Sequence, residues 1–186
     1  MTDSTRKQEL LEAAYDYVLG NGLADMSLRP LARQIGSSPR VLLFLFGSKD
    51  ELIRALLARA RDEELRYLAE LRDGHDGLAA TGRDVWTWLA DPSHRALLAL
   101  WVEGYARSLL SEPGPWADFG RDTVRDWLDL LAERQAPGSG GATAEAERTL
   151  LLAVLRGALL DLLATGDADR VTRGVERHLR AVEHPA

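Results

Sequence analysis

Between Ser27 and Lys49 the sequence SLRPLARQIGSSPRVLLFLFGSK sets two short apolar helical faces on either side of one glycine. Ser27 is a natural N-cap, and Leu28, Leu31, Ala32 and Ile35 follow at the three- and four-residue spacing that lines one side of a helix. Pro30 falls in the first turn, where a missing N–H costs little. Gly36 permits the left-handed backbone that ends the helix in a sharp turn. Ser38 then caps a second helix with Pro39 at its first position, and Val41, Leu42, Leu45 and Phe46 supply its apolar face. Gly47 stops it, and Ser48 opens a third helix, with Glu51 three residues on to complete a capping box. Helix, three-residue turn, helix is the geometry that lays a second helix in the major groove of DNA while the first braces the backbone.

Charge agrees with that geometry. The only ionisable residues in the stretch are Arg29, Arg33, Arg40 and Lys49, all basic, in a chain of formal net charge −6. A phosphate-facing surface needs such a local reversal of sign. Residues 1–55 are electrically balanced, so the excess acid lies further along the chain.

The block from Leu10 to Leu57 carries LLEAAYDYV, then NGLADMSLRPLARQIGSS, then FGSKDELIRALL. In order and spacing it resembles the N-terminal domain of the TetR family of transcriptional regulators. The resemblance is specific over about the first third of the chain and extends beyond it only in helix lengths and order. It implies a dimeric DNA-binding regulator whose C-terminal region takes a small-molecule effector.

Ser38, Pro39, Arg40 and Val41 lie at the N-terminal end of the reading helix, the end that meets base edges. Arg40 is the leading specificity candidate, because a guanidinium pairs in bidentate fashion with guanine O6 and N7. Lys49, beside the backbone N–H groups that open the helix after Ser48, is a candidate phosphate clamp. Ser27 and Arg29, at the start of the first reading helix, are candidates for a similar role. One departure from the family stands out. Where many relatives carry a phosphate-touching tyrosine the chain has Leu43, and Phe44 follows where a histidine or aromatic is common. Neither side chain can donate a hydrogen bond, which leaves two readings open: contact with thymine methyl groups, or cover for the head's own core.

Read in order, the chain is helical throughout, and an all-α fold of about nine helices is expected. Arg6–Leu19 packs Leu10, Leu11, Ala14, Tyr17 and Val18 across the two reading helices, completing a three-helix head. Asp50–Arg72 forms one long helix. Breaks at 73–82, 90–93, 111–115, 137–141 and 165–167 then separate helices over 83–90, 94–110, 116–135, 144–165 and 168–183. The expected division is a helix-turn-helix DNA-binding domain over 1–49 and a ligand-binding and dimerisation domain over 50–186.

All five tryptophans fall in the second region. Trp101 and Tyr105 share a face with Leu97 and Leu98, while Trp116, Phe119, Thr123 and Trp127 form another stripe. Plain core is one reading of such stripes; a pocket for an apolar or aromatic effector, lined by Trp86, Trp101, Tyr105, Trp116, Phe119 and Trp127, is the other. Glu103 and Arg107 are spaced for a surface ion pair, and Asp118, Asp122 and Asp126 for a solvated acidic row. The helix 144–165 is apolar nearly all round beyond Thr149, with Ala153, Gly157 and Ala158 allowing close approach. Together with 168–183 it is the expected homodimer interface.

Nothing points to an enzyme or a cofactor. The absence of cysteine excludes disulfides and thiolate metal sites, and His75, His94, His178 and His184 lack metal-ligand spacing, with the last two expected to be solvated. The polar start MTDSTRKQE argues against a signal peptide, and the longest apolar run, Thr149–Ala164, is broken by Arg156 and Asp161, so a cytoplasmic chain with no membrane span is expected. These readings add up to a ligand-responsive transcriptional regulator that binds a palindromic operator as a homodimer, in the role of a repressor. The alternative is a helical protein-interaction or scaffold module without sequence-specific DNA binding, which the apolar LLFLF run favours.

Overall fold

The computed structural model describes residues 3–23, 26–72, 77–110, 114–135 and 140–183. Among the described residues there are nine α-helices and no strand: α1 (Asp3–Asn21), α2 (Leu28–Gln34), α3 (Pro39–Phe46), α4 (Lys49–Arg72), α5 (Leu78–Ala90), α6 (Arg95–Leu110), α7 (Phe119–Arg134), α8 (Gly141–Thr165) and α9 (Ala168–Glu183). A short 3-10 turn at Pro92–His94 precedes α6. No described helix is long and apolar enough to cross a membrane. Of the expected breaks, residues 73–76, 111–113 and 137–139 lie outside the described residues, as do His75 and His184.

The chain divides into two compact units, Met1–Glu63 with Ala96–Asp122, and Glu64–Arg95 with Thr123–Ala186. This grouping is by packing and does not follow the 49/50 division by role.

In the first unit, α1, α2 and α3 enclose a core with the start of α4. Leu10, Ala14, Val18, Leu31, Ala32, Leu42, Phe46, Leu52 and Leu56 are all buried there. Each fully buried leucine contributes about 1.5–3 kcal/mol relative to an exposed one. The buried tyrosine of α1 is Tyr15, while Tyr17 is half-buried. The reason lies outside α1: Tyr15 Oη donates to Glu63 Oε2 at 3.1 Å, and the Arg59 guanidinium sits 4.7 Å from the ring centre. Burial pushes the Tyr15 phenol above its ordinary range, and the Glu63 carboxylate adds to the shift. Arg59 also binds both oxygens of Glu12, at 3.0 and 3.1 Å, so α4 is tied to α1 by charge as well as by packing.

Glu103 does not form the expected surface pair with Arg107. Its Oε2 accepts the backbone N–H of Leu23 at 2.9 Å, just beyond the end of α1, while Arg107 lies over the Trp116 ring at 6.0 Å. The acidic row is also broken. Asp118 sits before α7 in a left-handed conformation (φ 67°) and pairs with Arg121, while Asp122 pairs with Arg61 at 3.0 Å.

In the second unit, α5, α8 and α9 pack together. The helix α5 begins at Leu78, not at 83, because Gly82 is no breaker. It is a buried helical residue whose missing side chain leaves room for Leu179 and Leu151. Trp86 donates its indole N–H to the Thr172 hydroxyl at 3.0 Å, and Arg83 binds Glu176 and Glu183. Gly166, with φ 71°, turns α8 into α9, and Asp167 caps α9 by accepting the Arg170 N–H at 3.1 Å. His178, expected in solvent, is half-buried on α9.

Candidate nucleic-acid interface

The turn between α2 and α3 is closed by backbone. The Ser37 N–H reaches the Ala32 carbonyl at 2.8 Å, and Gly36 takes φ 65°, a conformation that glycine adopts without strain. Ser38 accepts the Val41 N–H at 3.2 Å, which fixes the first turn of α3. Ser27 occupies the cap position of α2 but its hydroxyl makes no capping bond, so the local start of α2 rests on backbone alone. At α4 half of the expected capping box forms. Ser48 Oγ accepts the Glu51 N–H at 3.0 Å, while the Glu51 carboxylate turns to Arg54 and does not reach back.

At about 100° per residue the eight positions of α3 sort into two sides. Leu42 and Phe46 point into the head and are buried, with Pro39 and Leu45 half-buried at the margins. The other side carries, in angular order, Leu43, Arg40, Phe44 and Val41. All four are exposed, at 41% for Leu43, 76% for Phe44 and 38% for Val41. Val41 therefore joins the outer face, not the apolar inner one. Leu43 and Phe44 do not cover the head's core, which Leu42 and Phe46 already fill.

Ser27, Arg29 and Lys49 are likewise exposed, whereas Ser38 is half-buried. Residue by residue, the sequence-predicted set is brought together on and around one helix-turn-helix. Lys7 lies in the charged N-terminal segment, far in sequence from α3. Its ammonium sits 5.2 Å from the centre of the Phe46 ring, beside the C-terminal end of α3.

The aromatic candidates for an effector site are divided between the two units. In the first unit Trp101 and Tyr105 stack at 5.2 Å between ring centres, and Trp116 and Phe119 are buried. Trp116 precedes α7, so the stripe expected over 116–127 is not one helical face. In the second unit Trp86 is packed against α9, and Trp127 donates its N–H to the buried carboxylate of Glu64. The first unit also holds an open cleft of about 640 Å³. Its wall includes Leu57, Pro115 and Phe119 with Arg54, Arg61, Asp118 and Asp122, and of the six aromatic candidates it takes only Phe119. Arg54 and Arg61 gave no signal in the sequence, and Asp122 was expected only in a solvated acidic row, since their juxtaposition joins α4 to residues about 60 positions away.

Among the described residues the elements are helices alone, and α2 and α3 form a helix-turn-helix with a basic and apolar outer face. Solved structures specify the fold further. A TetR transcription regulator from Haloarcula marismortui superimposes with a TM-score of 0.76 at 16% identity, covering 97% of each chain. A TetR-family regulator from Agrobacterium tumefaciens gives 0.76 at 19% identity over 97% of this chain and 99% of that one. The multidrug binding protein EbrR complexed with ethidium gives 0.69 at 25% identity over 94% and 98%. No protein-family model matches the sequence, and no curated protein does. The chain has the fold of the TetR-family transcriptional regulators, over nearly its whole length.

Proposed function

We propose that the protein is a ligand-responsive transcriptional regulator of the TetR type, a repressor that binds a palindromic operator as a homodimer in the cytoplasm. The observation that carries this reading is the outer face of α3. Arg40 stands exposed among three apolar side chains that the fold does not need, on a helix-turn-helix shared with solved regulators. Arg29, Arg33 and Lys49 supply phosphate contacts, and Arg40 reads guanine. In this reading residues 1–49 act as the DNA-binding domain and 50–186 as the ligand-binding and dimerisation domain.

The homodimer is supported by α8. Leu150, Ala153, Gly157, Leu160 and Ala164 form one exposed line along it, with Leu150 at 56% and Leu160 at 52% exposure. Closely spaced apolar residues of this kind, interleaved with small ones, suit close packing against a second copy, with α9 alongside. Two-fold symmetry then sets the heads about 34–36 Å apart, in successive major grooves.

EbrR is described in complexes with ethidium and proflavin. An aromatic or moderately apolar effector for the present chain agrees with that precedent and with its own aromatic residues. Release follows if the effector prefers a dimer geometry in which the heads no longer match the operator.

Selection of purified protein against a pool of random duplexes tests the reading. Enrichment of a palindrome whose binding weakens steeply with salt is expected. Recovery of the pool unselected would refute it.

A further inference from the structure

The outer face of α3 says what kind of half-site it fits. Three of its four side chains, Val41, Leu43 and Phe44, are apolar and exposed, and none can donate or accept a hydrogen bond. Phe44 is the extreme case, a whole aromatic ring at 76% exposure on a helix whose inner positions are already filled by Leu42 and Phe46. Every ionisable residue from Ser27 to Lys49 is basic, which suits a polyanion better than an apolar protein partner. In the major groove of such a polyanion only one feature is apolar, the C5 methyl group of thymine.

We propose, building on the regulator function above, that α3 reads thymine methyl groups, with Phe44 as the principal contact and Arg40 fixing a neighbouring guanine. Arg40 and Phe44 are four residues apart and adjacent on the outer face. Their separation along the helix axis is about 6 Å, close to two base-pair steps of about 3.4 Å. The operator half-site accordingly holds a guanine and, about two pairs away, a thymine whose methyl group packs on the Phe44 ring. Leu43 and Val41 flank that ring and keep water from it.

The test uses the duplex enriched by selection, with each thymine replaced singly by deoxyuridine, which keeps base pairing and removes only the methyl group. At one thymine per half-site affinity should fall about fourfold, and about fifteenfold when both half-sites are changed, the effect of returning one methyl-sized apolar group to water. Phe44→Ala should bind the thymine duplex about as weakly as the wild type binds the deoxyuridine one, and should no longer distinguish the two. An unchanged circular dichroism melt verifies that the variant folds, since Phe44 supports no core. Equal affinity for thymine and deoxyuridine at every position, or an enriched half-site without thymine, overturns the proposal and leaves the regulator reading standing. Failure to enrich any duplex overturns the regulator reading itself, and this proposal with it.

Discussion

Placing a methyl group on Gly82 sets helix propensity against packing. Gly82 lies inside α5 with ordinary helical backbone, where alanine is favoured over glycine by about 1 kcal/mol. A Cβ there would meet Leu179 Cδ2 at 2.6 Å and Leu151 Cδ1 at 3.2 Å. Both leucines are fully buried, so neither end can swing into solvent. Overpacking of this kind costs about 1–3 kcal/mol, which leaves Gly82→Ala about 1 kcal/mol less stable than the wild type. For a chain of this size that is a Tm lowered by about 2–4 °C, at fixed protein concentration. Two companions isolate the cause. Gly20→Ala, near the end of α1 with nothing within 4 Å of the added carbon, should hold or raise the Tm. Leu179→Val alone should cost about 0.5–1.5 kcal/mol, but combined with Gly82→Ala the loss should be less than the sum, because the shorter side chain makes room. Circular dichroism melts and urea midpoints read all four proteins. A Gly82→Ala variant as stabilised as Gly20→Ala would refute the close packing of α5 on α8 and α9.

Leu160→Glu sets a charge in the middle of the exposed α8 line and should convert a dimer to a monomer of unchanged helicity by sedimentation; an intact dimer would remove α8 from the interface. The hydrogen bonds from Arg170 hold the Asp161 carboxyl below its ordinary value of 3.8. That carboxylate stabilises the fold above pH 3.8 and ceases to do so as the pH falls through its depressed value. Asp161→Asn should therefore melt earlier than the wild type near neutral pH, with the difference closing in strong acid; a difference independent of pH would contradict the assignment. Burial, aided by Glu63 for Tyr15 and by Asp84 for Tyr67, raises both phenols. Alkaline spectrophotometric titration should show both ionising only at or beyond unfolding, with stability lost as the pH climbs past the ordinary tyrosine value, and Tyr15→Phe should remove one of these two late phenols.

The helix-turn-helix was legible because its signals are local. Ser38, Pro39, Gly36 and Gly47 each act within a turn of their own position, and they mark the ends of α2 and α3 to within a residue or so. Angular sorting of α3 needed more than periodicity. Val41 fits an apolar stripe with Leu45 as well as it fits the outer face, and only the filled core beneath Leu42 and Phe46 decides between them. Gly82 was misread as a break because a buried glycine at a helix crossing and a glycine in a turn look alike in sequence. Glu103 was misread because Arg107 is four residues away and the Leu23 N–H is eighty. The same holds for Tyr15, whose partner Glu63 is 48 residues on. Long-range juxtaposition also explains the cleft lined by Arg54 and Asp122, which no spacing rule could reach.

The most direct test of the DNA-reading head compares wild type, Arg40→Ala and Lys49→Ala on the selected duplex and on a scrambled one, at two salt concentrations. Arg40→Ala should lose about 1–3 kcal/mol of the preference for the selected duplex, while Lys49→Ala should weaken both duplexes alike and reduce the salt slope by about one. An Arg40→Ala protein that discriminates as well as the wild type would contradict the account of α3 as the reading helix.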